Sequence, residues 1–151
     1  MENLNIYDIE STNDKYFIEF KDILTAMYRD YMKSLTQYTE TDPETYNDLE
    51  IDIDEGSQVM EVMTLDNDTP IGLAIFTKQS EHKVELNQFY VAEEYRGKTV
   101  GKEFLKYMSE YFKSNGITAI DLKVYSENPA MKLYEEEGFK PQYHKLTKSL
   151  I

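Results

Sequence analysis

Residues 89–102 read Phe89-Tyr90-Val91-Ala92-Glu93-Glu94-Tyr95-Arg96-Gly97-Lys98-Thr99-Val100-Gly101-Lys102. The apolar start predicts the end of a strand, and apolar residues at helical spacing follow from Val100 onward. Glycines in the intervening loop let the backbone approach a ligand, and the start of the next helix carries partial positive charge. The stretch therefore predicts an anion site, although by itself it is equally consistent with a solvated basic turn.

The strand that leads into this loop contains an irregularity. Lys83 to Val91 reads as a strand, with Val84 and Leu86 on one face. The alternation of apolar residues then slips by one position at Asn87-Gln88, as it does where a β-bulge inserts an extra residue. We therefore expect a bulged strand immediately before the loop.

The remaining elements predict a mixed α/β, or α+β, domain whose sheet is wrapped by helices. We expect strands at Leu4 to Ile9, Val59 to Leu65, Ile71 to Phe76, Ala119 to Val124 and Phe139 to Leu146, the second and third forming a hairpin. We expect helices from Asn13 or Asp14 to about Lys33, from Thr41-Asp42-Pro43-Glu44, from Val100 to Asn115-Gly116, and from Asn128-Pro129 to Gly138. With 151 residues, the chain is predicted to form a single domain, 1–151.

Two segments resemble the signatures of GNAT acetyltransferases. The loop after the strand resembles the acetyl-CoA signature [RQ]-x-x-G-x-[GA], with Thr99 in place of the middle glycine. Residues 128–139 resemble the second signature, N-x-x-A-x-x-x-Y followed by G-F. The resemblance implies a GNAT-like central sheet, twisted, mixed and mostly antiparallel, flanked by helices.

The same resemblance implies a set of site residues and acetyl-CoA as the donor cosubstrate. Backbone N–H groups of the loop would hold the pyrophosphate, contributed by Arg96, Gly97, Lys98, Thr99, Val100, Gly101 and Lys102. The backbone of Phe89, Tyr90 and Val91 would pair with the pantetheine arm, and Asn128 would donate or accept a hydrogen bond nearby. Tyr134 would protonate the departing thiolate, because a phenol with a pKa near 10 is protonated at neutral pH.

The attacking amine must lose a proton, which requires a base or a chain of waters leading to one. Glu85 lies eleven positions before Arg96 on the bulged strand, where some members of the family place a glutamate base. Tyr90 and Glu94 are alternatives, and Glu85 is otherwise interpreted as a solvated strand carboxylate.

Charge restricts the partners. The formal net charge is −13 and the isoelectric point is about 4.5, so the chain repels nucleic acid and anionic membranes and suits a cationic substrate.

The absence of cysteine excludes a thiol nucleophile and cysteine-based metal sites. The acidic run from Glu50 to Glu61 resembles a calcium loop only superficially, because Gly56 comes one position late; no metal is expected. With neither a signal peptide nor a membrane span in the sequence, we expect a cytoplasmic protein.

The sequence therefore predicts an N-acetyltransferase that acts on a primary amine by direct attack. The acceptor classes left open are a small cationic amine or polyamine, an aminoglycoside-like compound and a peptide amine. The alternative is a GNAT-like module that binds CoA or acyl-CoA without efficient transfer. Aromatic-rich terminal strands also suggest a homodimer formed at a sheet edge.

Overall fold

The computed structural model describes residues 4–9, 13–34, 58–65, 69–97 and 99–151. Its elements in chain order are β1 (Leu4–Ile9), α1 (Lys15–Ser34), β2 (Gln58–Leu65), β3 (Pro70–Lys78), β4 (Lys83–Val91), a 3₁₀ turn (Glu93–Tyr95), α2 (Val100–Ser114), β5 (Ala119–Leu122) and α3 (Ala130–Glu136). Three sequence predictions fall outside the described residues: the helix beginning at Thr41, the calcium-like run from Glu50, and Lys98.

The described strands form one mixed sheet in the order β1-β2-β3-β4-β5. The first three pairs are antiparallel, and the hairpin predicted for β2 and β3 is present. β4 and β5 run parallel because α2 carries the chain back across the sheet before β5 begins. The predicted mixed, mostly antiparallel sheet flanked by helices is therefore confirmed.

The helices cover the two faces of the sheet with separate apolar cores. On one face, α1 buries a stripe with the helical spacing of Phe17, Phe20 and Leu24 against β1 and β3. On the other face, α2 buries Phe104 and Met108 against β3 and β4, and α3 joins this second core. None of the helices in the described ranges is long and apolar enough to cross a bilayer.

The predicted bulge in β4 is present. Ile75 of β3 pairs with Gln88, and Phe76, the next residue of β3, pairs with Leu86, so Asn87 is the extra residue on β4. An extra residue bends the strand and increases its twist. The bulge therefore redirects β4 shortly before it reaches the loop that begins the candidate site.

The strand predicted from Phe139 to Leu146 is wrong. Residues 139–151 have no regular secondary structure, and every residue from 140 onward is exposed. Tyr143 and Leu146 are 74% and 90% exposed, respectively. The apolar residues of this segment predicted a strand, but a segment becomes a strand only where it finds a partner, and this one finds none among the described residues.

Candidate active site

The candidate site, termed the cleft, lies where the parallel pairing of β4 and β5 ends. Their parallel pairing ends at Leu86 and Leu122, whereas β4 remains paired with β3 as far as Val91. The edge of β4 that faced β5 is therefore free of that partner from the bulge at Asn87 onward. A strand edge without a neighbour presents backbone donors and acceptors that an extended ligand can pair with.

The loop predicted to bind an anion lies at the far end of this edge. Gly97 adopts φ +73°, a conformation that glycine accepts without strain, and α2 begins at Val100. The first N–H groups of a helix have no acceptor within the helix, and the helix dipole adds positive potential at the same point. This arrangement suits a diphosphate.

Arg96 is held back from that position. Its Nε donates to the backbone carbonyl of Val91 at 2.8 Å, and its guanidinium lies 5.0 Å from the ring centre of Tyr90. Its backbone N–H already donates to the carbonyl of Glu93 at 3.2 Å. Arg96 therefore braces the end of β4, and the amide that it was predicted to offer is engaged in the 3₁₀ turn.

Thr99 sits in a conformation that suits glycine. Its φ and ψ are 65° and 1°, and it is the residue immediately before α2. A β-branched side chain in the left-handed region costs about 1–3 kcal/mol. The hydroxyl makes no capping hydrogen bond with α2 that would offset this cost. Thr99, which stands in place of the middle glycine of the family signature, therefore lies at a strained position.

We expect Thr99→Gly to raise the free energy of unfolding by about 1 kcal/mol, since relief of strain exceeds the extra entropy of glycine in the unfolded chain. Urea denaturation would measure the change. Thr99→Ala is the matched control, because it removes the hydroxyl and keeps the strained Cβ. Equal stabilisation by both variants would show that the backbone conformation is not the cause.

Gly101 joins the loop to the cleft by close packing. A Cβ placed on it would lie 3.2 Å from Cδ2 of Leu133 and 3.7 Å from the ring of Phe89. The start of α2 can therefore approach both α3 and β4 only because this residue lacks a side chain. Close packing thus explains why the second glycine of the loop signature is present in this chain.

Tyr134 lies in α3 and is buried against the cleft. Its ring makes edge contacts with Phe89 on β4, at 6.1 Å between centres, and with Phe139, at 5.8 Å. Burial raises the pKa of the Tyr134 phenol well above its usual range, and the nearby Tyr31 raises it further. The hydroxyl therefore stays protonated across the physiological pH range.

Tyr31 is the functional candidate that sequence reasoning missed. Its hydroxyl donates to the backbone carbonyl of Asn87, the bulge residue, at 3.1 Å. Tyr31 also contributes to the raised pKa of the Tyr134 phenol. Spacing along α1 could not reveal this role, because it depends on where the bulge carries β4.

Glu85 takes part in a polar network beside the bulge. Its carboxylate accepts hydrogen bonds from Nε2 of Gln79 at 2.7 Å and from Nδ2 of Asn87 at 3.4 Å. The Asn87 side chain also accepts a hydrogen bond from the Thr77 hydroxyl. The side chains of Glu85 and Asn87 therefore lie on the same side of β4.

Asn128 holds the start of α3. Its Oδ1 accepts a hydrogen bond from the backbone N–H of Ala130 at 2.9 Å, and its carbonyl accepts from Met131 at 3.0 Å. The side-chain oxygen therefore fixes the helix that carries Tyr134. The Nδ2 group is the part of this side chain that is suited to donate to a ligand.

Tyr90 points away from Tyr134, onto the face that α1 covers. Its hydroxyl donates to Oδ2 of Asp30 at 3.3 Å, and partial burial, followed by the charge of Asp30, raises the pKa of the phenol. Beside it lies an open concavity of about 430 Å³. The lining residues are Asp22, Ile23, Ala26, Met27, Asp30, Tyr90, Ala92, Glu93 and Glu94. The lining thus includes one aromatic side chain and four carboxylates.

Comparisons with known proteins agree with this geometry. Residues 22–139 match the model of the acetyltransferase (GNAT) family. The uncharacterized N-acetyltransferase YobR of Bacillus subtilis is 40% identical over 57 residues, which are 37% of this chain and only 23% of that protein.

Solved structures share the fold across most of the chain. A variant of the BH1408 protein from Bacillus halodurans superposes with a TM-score of 0.78 at 15% identity, covering 97% of this chain and 99% of that one. The PaiA N-acetyltransferase of Thermoplasma acidophilum, solved with coenzyme A, gives a TM-score of 0.72 at 21% identity, covering 93% of each chain. The chain belongs to the acetyltransferase (GNAT) family.

Proposed function

We propose that this chain transfers the acetyl group of acetyl-CoA to a primary amine by direct attack. One observation carries the proposal: β4 leaves β5 at a bulge, and the buried phenol of Tyr134 lies against the freed part of the strand. A helix start suited to a diphosphate stands at the end of the same strand. Acetyl-CoA would use the helix start for its diphosphate, the free edge of β4 for its pantetheine arm and the Tyr134 phenol beside its sulfur.

The donor supplies an activated acetyl thioester, and the protein supplies the contacts that orient it. The amides of Gly97, Thr99, Val100 and Gly101 are proposed to bind the pyrophosphate, aided by the positive end of α2. Residues 89–91 offer the strand edge to the pantetheine arm. Backbone N–H groups at this edge also stabilise negative charge that develops on the thioester oxygen.

The proposed chemistry exchanges one bond for another. The amine nitrogen forms a bond to the acetyl carbon, the carbon–sulfur bond breaks, and Tyr134 gives its proton to the sulfur. A high phenol pKa does not prevent this step, because the same desolvation raises the pKa of a thiolate that leaves into the cleft. The amine loses its proton to Glu85 or to water, and water restores the proton of Tyr134.

A cationic acceptor is the substrate class that the charges favour. The concavity beside Tyr90 carries the carboxylates of Asp22, Asp30, Glu93 and Glu94, which attract ammonium groups. We propose a small polycation as the acceptor, with one amine reacting and another held by these carboxylates. A peptide amine or an aminoglycoside-like compound would use the same attraction.

We expect Asp30→Asn combined with Glu94→Gln to raise KM for a polyamine about 10-fold while kcat changes little. Each lost carboxylate removes an attraction of about 0.5–1 kcal/mol at a partly exposed site. CoA release with spermidine and with an uncharged primary amine such as benzylamine at high pH would measure the difference. Glu110→Gln, on the exposed side of α2, is the matched control. An equal rise in KM for both amines would contradict the proposal that these carboxylates hold a cationic acceptor.

The main test of the function is CoA release with a panel of amines, beside calorimetry of acetyl-CoA binding. Turnover of at least one amine supports the transferase. Tight binding of acetyl-CoA without turnover of any amine would favour the second candidate, a CoA-binding module, for which the strained Thr99 in the loop is the specific observation.

Three further expectations belong to this proposal. The chain acts as a single domain over residues 1–151, and it works in the cytoplasm. A second copy of the chain is the proposed protein partner, through an edge of the sheet.

A further inference from the structure

Gln88 on β4 is a buried polar side chain with an atom that lacks a partner. The residue is 9% exposed, and within the described ranges no other polar or charged side chain is buried to this degree. Its Oε1 is enclosed and accepts no hydrogen bond from any described residue. A buried oxygen without a donor destabilises a fold, and buried polar groups are nearly always paired. The presence of glutamine at this position therefore needs an explanation other than stability.

The side chain of Gln88 lies on the face of the sheet that α1 covers. Gln88 pairs with Ile75 of β3, which belongs to the core beneath α1. Directly opposed residues of antiparallel strands place their side chains on the same face. Phe89, the next residue along β4, contacts Tyr134 on the other face. The strand therefore separates Gln88 from the proposed acid.

The polar network around Glu85 lies on the same face as Gln88. Glu85 pairs with Thr77 of β3, and Thr77 comes two residues after Ile75, so the two point the same way. The Glu85 carboxylate accepts a hydrogen bond from Asn87. Asn87 is exposed, so solvent reaches β4 at the residue directly before Gln88. The proposed base and the unpartnered carbonyl oxygen are thus three residues apart on one face.

The backbone on either side of Gln88 serves the free edge of β4. The N–H of Ala92 donates to the carbonyl of Ile71 on β3 at 2.8 Å. Backbone groups of successive strand residues point to opposite edges, so those of Phe89 and Val91 point away from β3. Their N–H groups are donors of the kind proposed to hold the thioester oxygen. The side chain of Gln88 projects beside that position on the α1 face.

We propose that Oε1 of Gln88 accepts a hydrogen bond from the acceptor amine and orients the nitrogen toward the acetyl carbon. The inference rests on the proposed acetyl transfer and adds the residue that positions the nucleophile. The amine approaches from the α1 face, while Tyr134 protonates the sulfur from the other face. The nitrogen becomes positive as it bonds to the acetyl carbon, so its hydrogen bond to Oε1 strengthens in the transition state.

The contact favours primary amines as acceptors. A neutral primary amine has two N–H groups, so one can donate to Oε1 of Gln88 while the proton of the other passes to Glu85 or to water. A side-chain amide is not a base, and Gln88 itself takes no proton. A secondary amine has a single N–H, which cannot both remain on Oε1 and be lost. Gln88 is therefore expected to discriminate between these two classes.

Gln88→Met tests the contact, because methionine keeps the length of the side chain and accepts hydrogen bonds only weakly. We expect kcat/KM for the best primary amine of the panel to fall about 10–100-fold, as for loss of a hydrogen bond to a charged group. For the N-methyl derivative of that amine we expect a fall of less than about threefold, and a change of less than about twofold in Kd for acetyl-CoA. Gln142→Met, at an exposed residue outside the site, is the matched control. Equal losses with the two amines would overturn the proposal.

Thermal stability supplies a second readout, which needs no turnover. Because Oε1 has no donor from the described residues, we expect Gln88→Met to raise the melting temperature by about 2–4 °C. If a bound water satisfied this oxygen in the free protein, the substitution would instead lower the melting temperature. A lower melting temperature with unaltered kcat/KM would assign Gln88 to the fold and refute its role toward the amine. Absence of turnover by the wild type with every amine is a separate result, which refutes acetyl transfer and this inference with it.

Discussion

Tyr134→Phe lowers kcat for acetyl transfer about 10²–10⁴-fold and leaves the affinity for acetyl-CoA unchanged, as expected for loss of a general acid. The substitution removes one oxygen and retains the ring. The edge contacts with Phe89 and Phe139 therefore survive, and the cleft keeps its shape. Steady-state CoA release, together with calorimetry of acetyl-CoA binding, measures the two quantities separately.

The reason for so large an effect is the position of this phenol. It is 8% exposed, so bulk water does not readily replace it as a proton donor to a leaving thiolate. Burial raises the pKa of its hydroxyl, which keeps the proton in place until charge develops on the sulfur. A solvated tyrosine would contribute less, because water would compete for the same step.

Two tyrosines serve as controls for this prediction. Tyr107→Phe, on the exposed side of α2, makes the same chemical change away from the cleft and is expected to leave kcat unaltered. Tyr31→Phe removes the donor to the carbonyl of Asn87 and is expected to lower kcat by a smaller factor, through the position of the bulge. If Tyr134→Phe retains wild-type kcat, Tyr134 is a packing residue and the proposed acid must be sought elsewhere.

Local patterns predicted the elements that depend on local physics. The helical spacing of Phe104 and Met108 placed α2, because a helix with one apolar face has a single way to bury it. The slip of apolar parity at Asn87-Gln88 predicted the bulge to within two residues, since side chains in a strand alternate with period two.

Long-range pairing was not predictable in the same way. The apolar pattern of residues 139–146 predicted a strand, but whether an extended segment is paired depends on which edge it meets in three dimensions. A period-two pattern predicts that one face of a strand will be buried, but it does not predict which segment will pair with that strand.

The site residues show the same difference between what local sequence predicts and what depends on long-range geometry. Tyr134 and Gly101 follow from signatures whose spacing matches a family, and each also has a local physical reason in this chain. The engagement of the Arg96 amide in the 3₁₀ turn and the approach of Tyr31 to the bulge depend on loop and sheet geometry. Sequence spacing carries no information on either contact.

Lys102→Glu is expected to weaken binding of acetyl-CoA about 10–100-fold. The residue lies in the first turn of α2, where a cation adds to the positive end of the helix and a carboxylate would repel a diphosphate. Lys113→Glu is the matched control, because it makes the same change in net charge about 16 Å away along the helix, beyond the screening length at physiological salt. We expect that variant to alter the dissociation constant by less than about threefold, consistent with screened interactions at that distance.

Calorimetry at low and high salt distinguishes the causes, since the difference between the two variants must shrink as salt is added. Equal weakening by both would mean that the total charge of this acidic protein, and not the helix start, controls access of the anionic donor.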